Sequence, residues 1–335
     1  MRFRLLLFLL PVLLGACSKP AQPVRLDFIG NTTLTSGSRV VNANDTLSTK
    51  AYAVAKDNLL KRLRITVRYE PGPSPVLYPV PISGFNPNNA PGPQEIVYLD
   101  SLIKPTAAAQ ESEYLFENQF SARSTSGAER WQYTAIDAAD GSASRAYRLT
   151  VRKADSAAVF HNYTTVIRPV PGSPLAASVL HDRARVFLSL RDGLLLPKYA
   201  VRNNEASVQA NQQLIDLVCV ANRAGTTIRL DATAADSLSR KLAPSSWPVA
   251  NRRRTRLLNT RLTATEFGNA RTTGSFASAF AVGTAATRDS LSTGVLARGN
   301  VVAFRTANGY YGLLLVSDLV PGTSPRLNCS IKVQK

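Results

Sequence analysis

The sequence predicts an all-β chain, a β-sandwich followed by a second, mostly β module with one or two short helices. Three observations carry this. Short runs rich in β-branched and aromatic residues alternate with a two-residue period and are separated by turn residues. Asp140-Gly141 and Asn308-Gly309 each sit between two such runs, as the tight turn of a β-hairpin requires. Taking the first sixteen of the 335 residues as a removable leader leaves 319, enough for two domains of about 130 to 180 residues.

Residues 1–16 read as that leader. Arg2 and Arg4 give a cationic start, and Leu5 to Leu14 form an apolar run broken only by Pro11, too short to anchor the chain across a bilayer. Leu14-Gly15-Ala16-Cys17 places small residues directly before a cysteine and resembles the bacterial lipobox. The resemblance implies cleavage before Cys17, diacylation of its sulfur through glycerol and acylation of the new amino terminus. Several chains at one residue hold a protein on a membrane where a single chain is marginal. Residues 17–23 are then a polar, proline-bearing tether.

The first module spans residues 24–153. VRLDFI, SRVVN, TKAYAVA, LKRLRITVRYE, EIVYL, RWQYTAID and RAYRLTVRK supply seven or so strands. In the last hairpin Trp131, Tyr133, Ala135, Tyr147, Leu149 and Val151 are the candidate inward faces. The pattern is similar to the immunoglobulin-like domains of bacterial surface proteins, without the cysteine–tryptophan–cysteine framework of antibody domains. The proline-rich stretch Glu70 to Pro93 cannot be a central strand and reads as a long surface loop. Its Tyr78 and Phe85 either contact a glycan or partner or pack on the sheet.

After a linker at 154–158, the second module runs over 159–335. VFHNYTTVIRPV opens it as a strand, RARVFLSLRDGLLL reads as two strands hinged at Asp192-Gly193, and LIDLVCVAN as a buried strand. DATAADSLSRKLAP predicts a helix from Asp231 or Thr233, stopped at Pro244, and Thr263-x-x-Glu266 has the form of a capping box. GNVVAFRTANGYYGLLLVSDL predicts a hairpin and RLNCSIKVQK the closing strand. This order, from FLSLRDG through LIDLV to VVAFRTANGYYGLLLVSDL and a terminal IKVQK, is similar to the C-terminal domain of uncharacterised Bacteroidota surface lipoproteins. The resemblance implies lipid anchoring at the outer membrane and carries no catalytic residue. Those proteins often have an acidic run after the lipidated cysteine, where this chain has Ser18-Lys19-Pro20, so both the surface and the periplasmic face stay open.

The formal net charge of +18 falls to +16 once Arg2 and Arg4 leave with the leader. Such a balance attracts anionic glycans, lipopolysaccharide or nucleic acid, or reflects an arginine-rich genome. No nucleic-acid motif accompanies it, so none is expected as a partner. Cys219 and Cys329 remain as an even pair in an exported chain. They either form a disulfide or are plain core thiols, since Leu327, Cys329, Ile331 and Val333 share the apolar face of a strand.

Asp45-Thr46-Leu47, Asp100-Ser101-Leu102, Asp155-Ser156-Ala157, Asp236-Ser237-Leu238 and Asp289-Ser290-Leu291 repeat one triplet, where composition gives roughly one. They resemble the acceptor of the general O-glycosylation system of exported Bacteroidota proteins, which implies exposed glycans on Thr46, Ser101, Ser156, Ser237 and Ser290. Turn and helix-cap pairs give the same spelling.

Catalytic motifs are scarce. His161 and His181 accompany no nucleophile motif. Glu111, Glu113 and Glu117 form one polar patch of the kind that is usually a solvated face, and Asp137, Asp140 and Gly141 fit a hairpin turn better than a calcium loop. The charged feature that stands out is Arg252, Arg253, Arg254 and Arg256, extended by Arg261, with Trp247 upstream as a surface for stacking a sugar or an arginine. The strip is either an anion site for acidic polysaccharide or lipid phosphate, or a basic edge that discourages strand-to-strand aggregation. The sequence thus predicts a non-catalytic envelope lipoprotein that binds or displays an anionic glycan or an envelope protein partner, with no metal and no cofactor. A carbohydrate or ester hydrolase and a plain spacer are the alternatives.

Overall fold

The computed structural model of the protein describes residues 23–43, 45–70, 95–103, 112–123, 125–151, 159–202, 209–239, 242 and 244–335. Cys17, the 71–94 part of the proline-rich loop with Tyr78 and Phe85, Glu111, Ser156 and the 154–158 linker lie outside them.

The chain is all-β, in four sheets. β1 (Val24–Ile29), β3 (Thr46–Ala55) and β6 (Glu113–Ser121) form one face of a sandwich. β2 (Arg39–Val41), β4 (Leu60–Glu70), β5 (Glu95–Leu102), β7 (Gly127–Asp137) and β8 (Ser142–Val151) form the other, in the order β2-β8-β7-β4-β5. First, third and sixth strands on one sheet, with fourth, fifth, seventh and eighth on the other, is the immunoglobulin division of strands. β6 goes beyond the sequence expectation. Glu113 and Glu117, read as part of a polar patch, face outward with Leu115 and Gln119, while Phe120 and Asn118 on its other face are buried.

The sandwich core fills with aromatics from the predicted hairpin faces. Trp131 stacks on Phe120 with ring centroids 4.1 Å apart, and Phe28 meets Tyr133 edge-on at 5.1 Å. Their polar ends are satisfied inside, with Asn118 Nδ2 donating to the Tyr133 hydroxyl at 2.9 Å and Thr49 bonded to the Tyr147 hydroxyl at 2.8 Å. The Asp140-Gly141 turn forms as expected, with Asp140 in the left-handed region (φ 62°) and the Asp137 carboxylate accepting from the Ala139 and Gly141 amides.

In the second half, β10 (Arg185–Ser189), β11 (Leu194–Pro197), β12 (Leu217–Ala221) and β13 (Ile228–Ala232) form one sheet. β14 (Arg256–Asn259), β15 (Val301–Arg305), β16 (Tyr311–Val320), β17 (Arg326–Gln334) and β9 (Phe160–Ile167) form the other, in that spatial order. The run Leu313-Leu314-Leu315-Val316 is apolar without alternation because both faces of β16 are covered. One face packs into the core shared with the four-stranded sheet. The other lies under the helices Ala264–Asn269 and Thr273–Ala281. Gly309 (φ 89°) makes the hairpin turn, and Gly312 is required by closeness, since a Cβ there would lie 2.2 Å from the Phe304 ring.

One expectation is corrected and one open alternative is decided. Asp231 does not start a helix. It is buried in β13, where its carboxylate accepts from Ser292, Ser237 and Arg229, and among the described residues of this stretch the helix is Asp236–Ser239. Of the two readings open for Cys219 and Cys329, the structure has the core thiols: both are free and buried, on β12 and β17 of different sheets.

Among the described residues no strand of the first half pairs with one of the second, yet the two halves share a continuous hydrophobic core. Buried Asn211 crosses between them, its amide donating to Val97 O at 2.6 Å and Ala200 O at 2.8 Å. Thr125 Oγ1 donates to Asp192 O at 3.1 Å, tying the first half to the β10–β11 turn.

Candidate functional site

The arginine strip splits into two kinds of residue. Arg252 and Arg253 serve the fold. Arg252 donates to the carbonyls of Leu242 at 2.7 Å and Trp247 at 3.1 Å. Arg253 Nε donates to buried Asp216 at 3.0 Å, and its Nη1 to Gln213 O at 2.8 Å. Asp216 is fully engaged, because Thr255 Oγ1 also donates to Oδ1 and the Leu190 amide to Oδ2. Burial nonetheless raises its carboxyl above the ordinary range, against the pull of Arg253 and these donors.

Arg254 and Arg256 point outward and are exposed. Arg256 lies directly opposite Arg305 in the β14–β15 ladder, and Arg305 opposite Tyr311 in β15–β16. The guanidinium of Arg256 stacks over Phe280 at 5.5 Å and that of Arg305 over Tyr311 at 5.4 Å, while the two rings meet edge-on. None of Arg254, Arg256 and Arg305 is in an ion pair with a carboxylate among the described residues. The three arginines line a groove of about 710 Å³ together with Arg252, Arg253 and Gln213.

Like charges opposed across a ladder are destabilising. A basic edge that blocks aggregation accounts for them only if the edge is bare. It is not: Leu257 N donates to Ser290 O at 2.7 Å, and Asn259 and Thr284 exchange backbone bonds at 2.8 and 2.9 Å. β14 is already covered by residues 284–290, so its charge has no edge left to protect. Arg305 was not singled out from the sequence, since its pairing with Arg256 spans 49 positions. Its place at the end of a strand before Asn308-Gly309 was the available signal.

Other predicted residues fall elsewhere. Trp247 is fully buried against Phe187 and donates to Asn251 O, so it presents no stacking face. Ser290 is buried, 9% exposed, and takes a left-handed turn (φ 56°) whose Asp289 carboxylate accepts from Thr287 and Leu291; exposure of that acceptor is corrected. The Ser237 hydroxyl donates to Asp231, whereas Thr46 and Ser101 are exposed. Glu113 and Glu117 stand on the outer face of the three-stranded sheet, taking hydrogen bonds from Tyr52 and Ser48. His161 lies on β9 opposite Val333. His181 lies on the short helix Val179–Arg183, bonded to its own cap Ser178 at 2.7 Å. Arg261 is exposed outside the groove. Among the described residues no group of three or more His, Cys, Asp or Glu is placed to hold a metal, and no helix is long and apolar enough to cross a membrane.

A second row of arginines also escaped the sequence reading. Arg68, Arg130 and Arg148 stand opposite one another on β4, β7 and β8. Glu95 lies opposite Arg68, and Glu70 accepts from Arg148 at 2.9 Å, so this row carries its own counter-charges.

No family model matches the sequence, and no curated protein matches it. Among solved structures, the chain is similar to a DUF4466 family protein from Parabacteroides merdae, at 11% identity and TM-score 0.28, over 94% of this chain and 100% of that one. It is also similar to the sporulation control protein Spo0M from Bacillus subtilis, at 10% identity and TM-score 0.25, over 66% of this chain and 82% of that one. Likenesses this distant transfer no residue and no activity.

Proposed function

We propose that this protein is a non-catalytic component of the bacterial envelope, lipid-anchored through Cys17 at the outer membrane, that binds a polyanionic ligand along the groove of Arg254, Arg256 and Arg305. The observation that carries the proposal is the Arg256–Arg305 opposition. Two guanidinium groups are held side by side on aromatic rings, with no carboxylate between them, on an edge already covered. A bound anion relieves the repulsion that the fold otherwise sustains. Three positive side chains along one groove suit repeated charges on a chain better than a single small ion.

The hydrolase alternative asks for a pair of carboxyls in a cleft, and Asp192 and Asp216 do line one. Glycoside hydrolysis needs both acids available to the scissile bond, and Asp216 has both oxygens committed to Arg253, Thr255 and Leu190. A spacer needs no such groove.

Retention on immobilised heparin tests the reading, comparing the wild type with the Arg254→Ser, Arg256→Ser, Arg305→Ser triple variant. Elution of the variant at clearly lower salt is expected, and equal elution removes the proposal. Labelled fatty acid supplied to growing cells tests the anchor separately, with label expected on the mature chain and lost in Cys17→Ser.

A further inference from the structure

The groove does not stop at the arginines. Gln213, Arg253 and Thr306 also line a second pocket of about 300 Å³, so the two cavities share a wall. Its other walls come from the β10–β11 turn, with Ser189 and Asp192, and from the last hairpin, with Asn308 and Tyr310. We infer that the polyanion is an acidic carbohydrate, with the arginines holding its carboxylate or sulfate groups and this pocket taking hydroxyls of an adjoining sugar. The inference rests on the arginine groove being the binding site.

The chemistry of the second pocket carries it. Asp192 accepts from Ser189 Oγ through Oδ2 at 3.1 Å, and its Oδ1 accepts from no donor among the described residues. Asn308 Oδ1 accepts from Arg253 Nη1 at 3.3 Å, which leaves its amide hydrogens as donors. Gln213 contributes a second amide, its Nε2 donating to Asn251 at 3.2 Å while its side-chain oxygen takes no bond among the described residues. A sugar hydroxyl donates and accepts at once, and a pocket lined by both a carboxylate and amide donors meets both needs. Phosphate chains at neutral pH offer almost only acceptors and negative charge, so Asp192 repels them. Burial and the nearby Asp216 charge raise the Asp192 carboxyl, and a hydroxyl donated to it compensates for the lost water. Tyr310 is capped on one face by the Arg191 guanidinium at 4.3 Å, which fixes that wall.

The test is a calorimetric titration of the full chain with polygalacturonate and with inorganic polyphosphate at matched charge. The wild type is expected to bind the uronate polymer more tightly. Asp192→Asn should weaken uronate binding about 10-fold, the scale of one charged hydrogen bond, and leave polyphosphate binding equal or stronger. Asn308→Ala reads the same pocket from its opposite wall, should Asp192→Asn unfold. Equal wild-type affinity for the two polymers, or pocket variants that shift both alike or neither, overturns the carbohydrate inference and leaves the arginine reading standing. The triple arginine variant should lose both ligands; if it keeps both, the groove itself is the wrong site.

Discussion

Two arginines of the same groove should respond very unequally when neutralised. Arg305→Met removes a charge opposed to Arg256, relieving about 0.2 to 1 kcal/mol. It forfeits the stacking on Tyr311, worth about 0.5 to 1 kcal/mol at an exposed site. Methionine keeps most of the stem packing, so the net change is within about 1 kcal/mol of zero. Arg253→Met instead strands Asp216, which is 2% exposed, without its counter-charge. Breaking a buried pair costs about 3 to 5 kcal/mol. The remaining bonds from Thr255 and Leu190 put the loss near the lower end, about 3 kcal/mol. Urea unfolding at pH 7 reads both changes. The gap should narrow at pH 5, because Asp216 without Arg253 takes up a proton more readily and sheds its unpaired charge. Equal stabilities for the two variants, or Arg305→Met as the weaker protein, would refute the division into structural and free arginines.

Further outcomes follow from buried groups elsewhere. Lys332 is 4% exposed and donates to the carbonyls of Phe267, Gly268 and Ala270 at 2.8 to 2.9 Å, closing the end of the Ala264–Asn269 helix. Lys332→Met should cost about 1 to 3 kcal/mol and speed amide exchange over residues 264–270 while sparing β12 and β13. Burial pushes the Cys219 and Cys329 thiols up, so iodoacetamide followed by peptide mapping should label neither in the native protein and both in denaturant. Burial also raises Glu129, Asp192 and Asp216. Stability from these three carboxyls is present below the ordinary carboxyl range, about pH 4, and is lost as pH rises through their raised values. Thermal midpoints measured from pH 7.5 down to pH 4.5 should therefore show an acid-side gain that Glu129→Gln reduces; an unchanged profile in that variant would count against the sign.

Much of the fold was legible because its signals are local. Alternation in TKAYAVA and RWQYTAID, the Asp140-Gly141 and Asn308-Gly309 turns, and the Thr263–Glu266 capping box each need only a few neighbouring residues, and each forms. Signals that depended on distant partners went unread. EYLFENQFS spells a charged patch until β3 pairs with it and hides Phe120. TGSFASAFA has weak helix propensity, yet Phe276, Ala279 and Phe280 lie at helical spacing against the sheet. The polar stretch from Asp231 reads as helical until β12 pairs with it and draws Asp231 inside.

The candidate site divides along the same line. Composition by itself determined that the chain is strongly basic and that Arg252, Arg253, Arg254 and Arg256 crowd together, because those are counts and spacings. Only the tertiary structure decided which charges are spent and which are offered. It turned Arg252 and Arg253 onto internal carbonyls and Asp216, left Arg254 and Arg256 outside, and brought Arg305 across from another strand. The reason is that the cost of a charge depends on what surrounds it, and in a sheet those surroundings are supplied by strands far away along the chain.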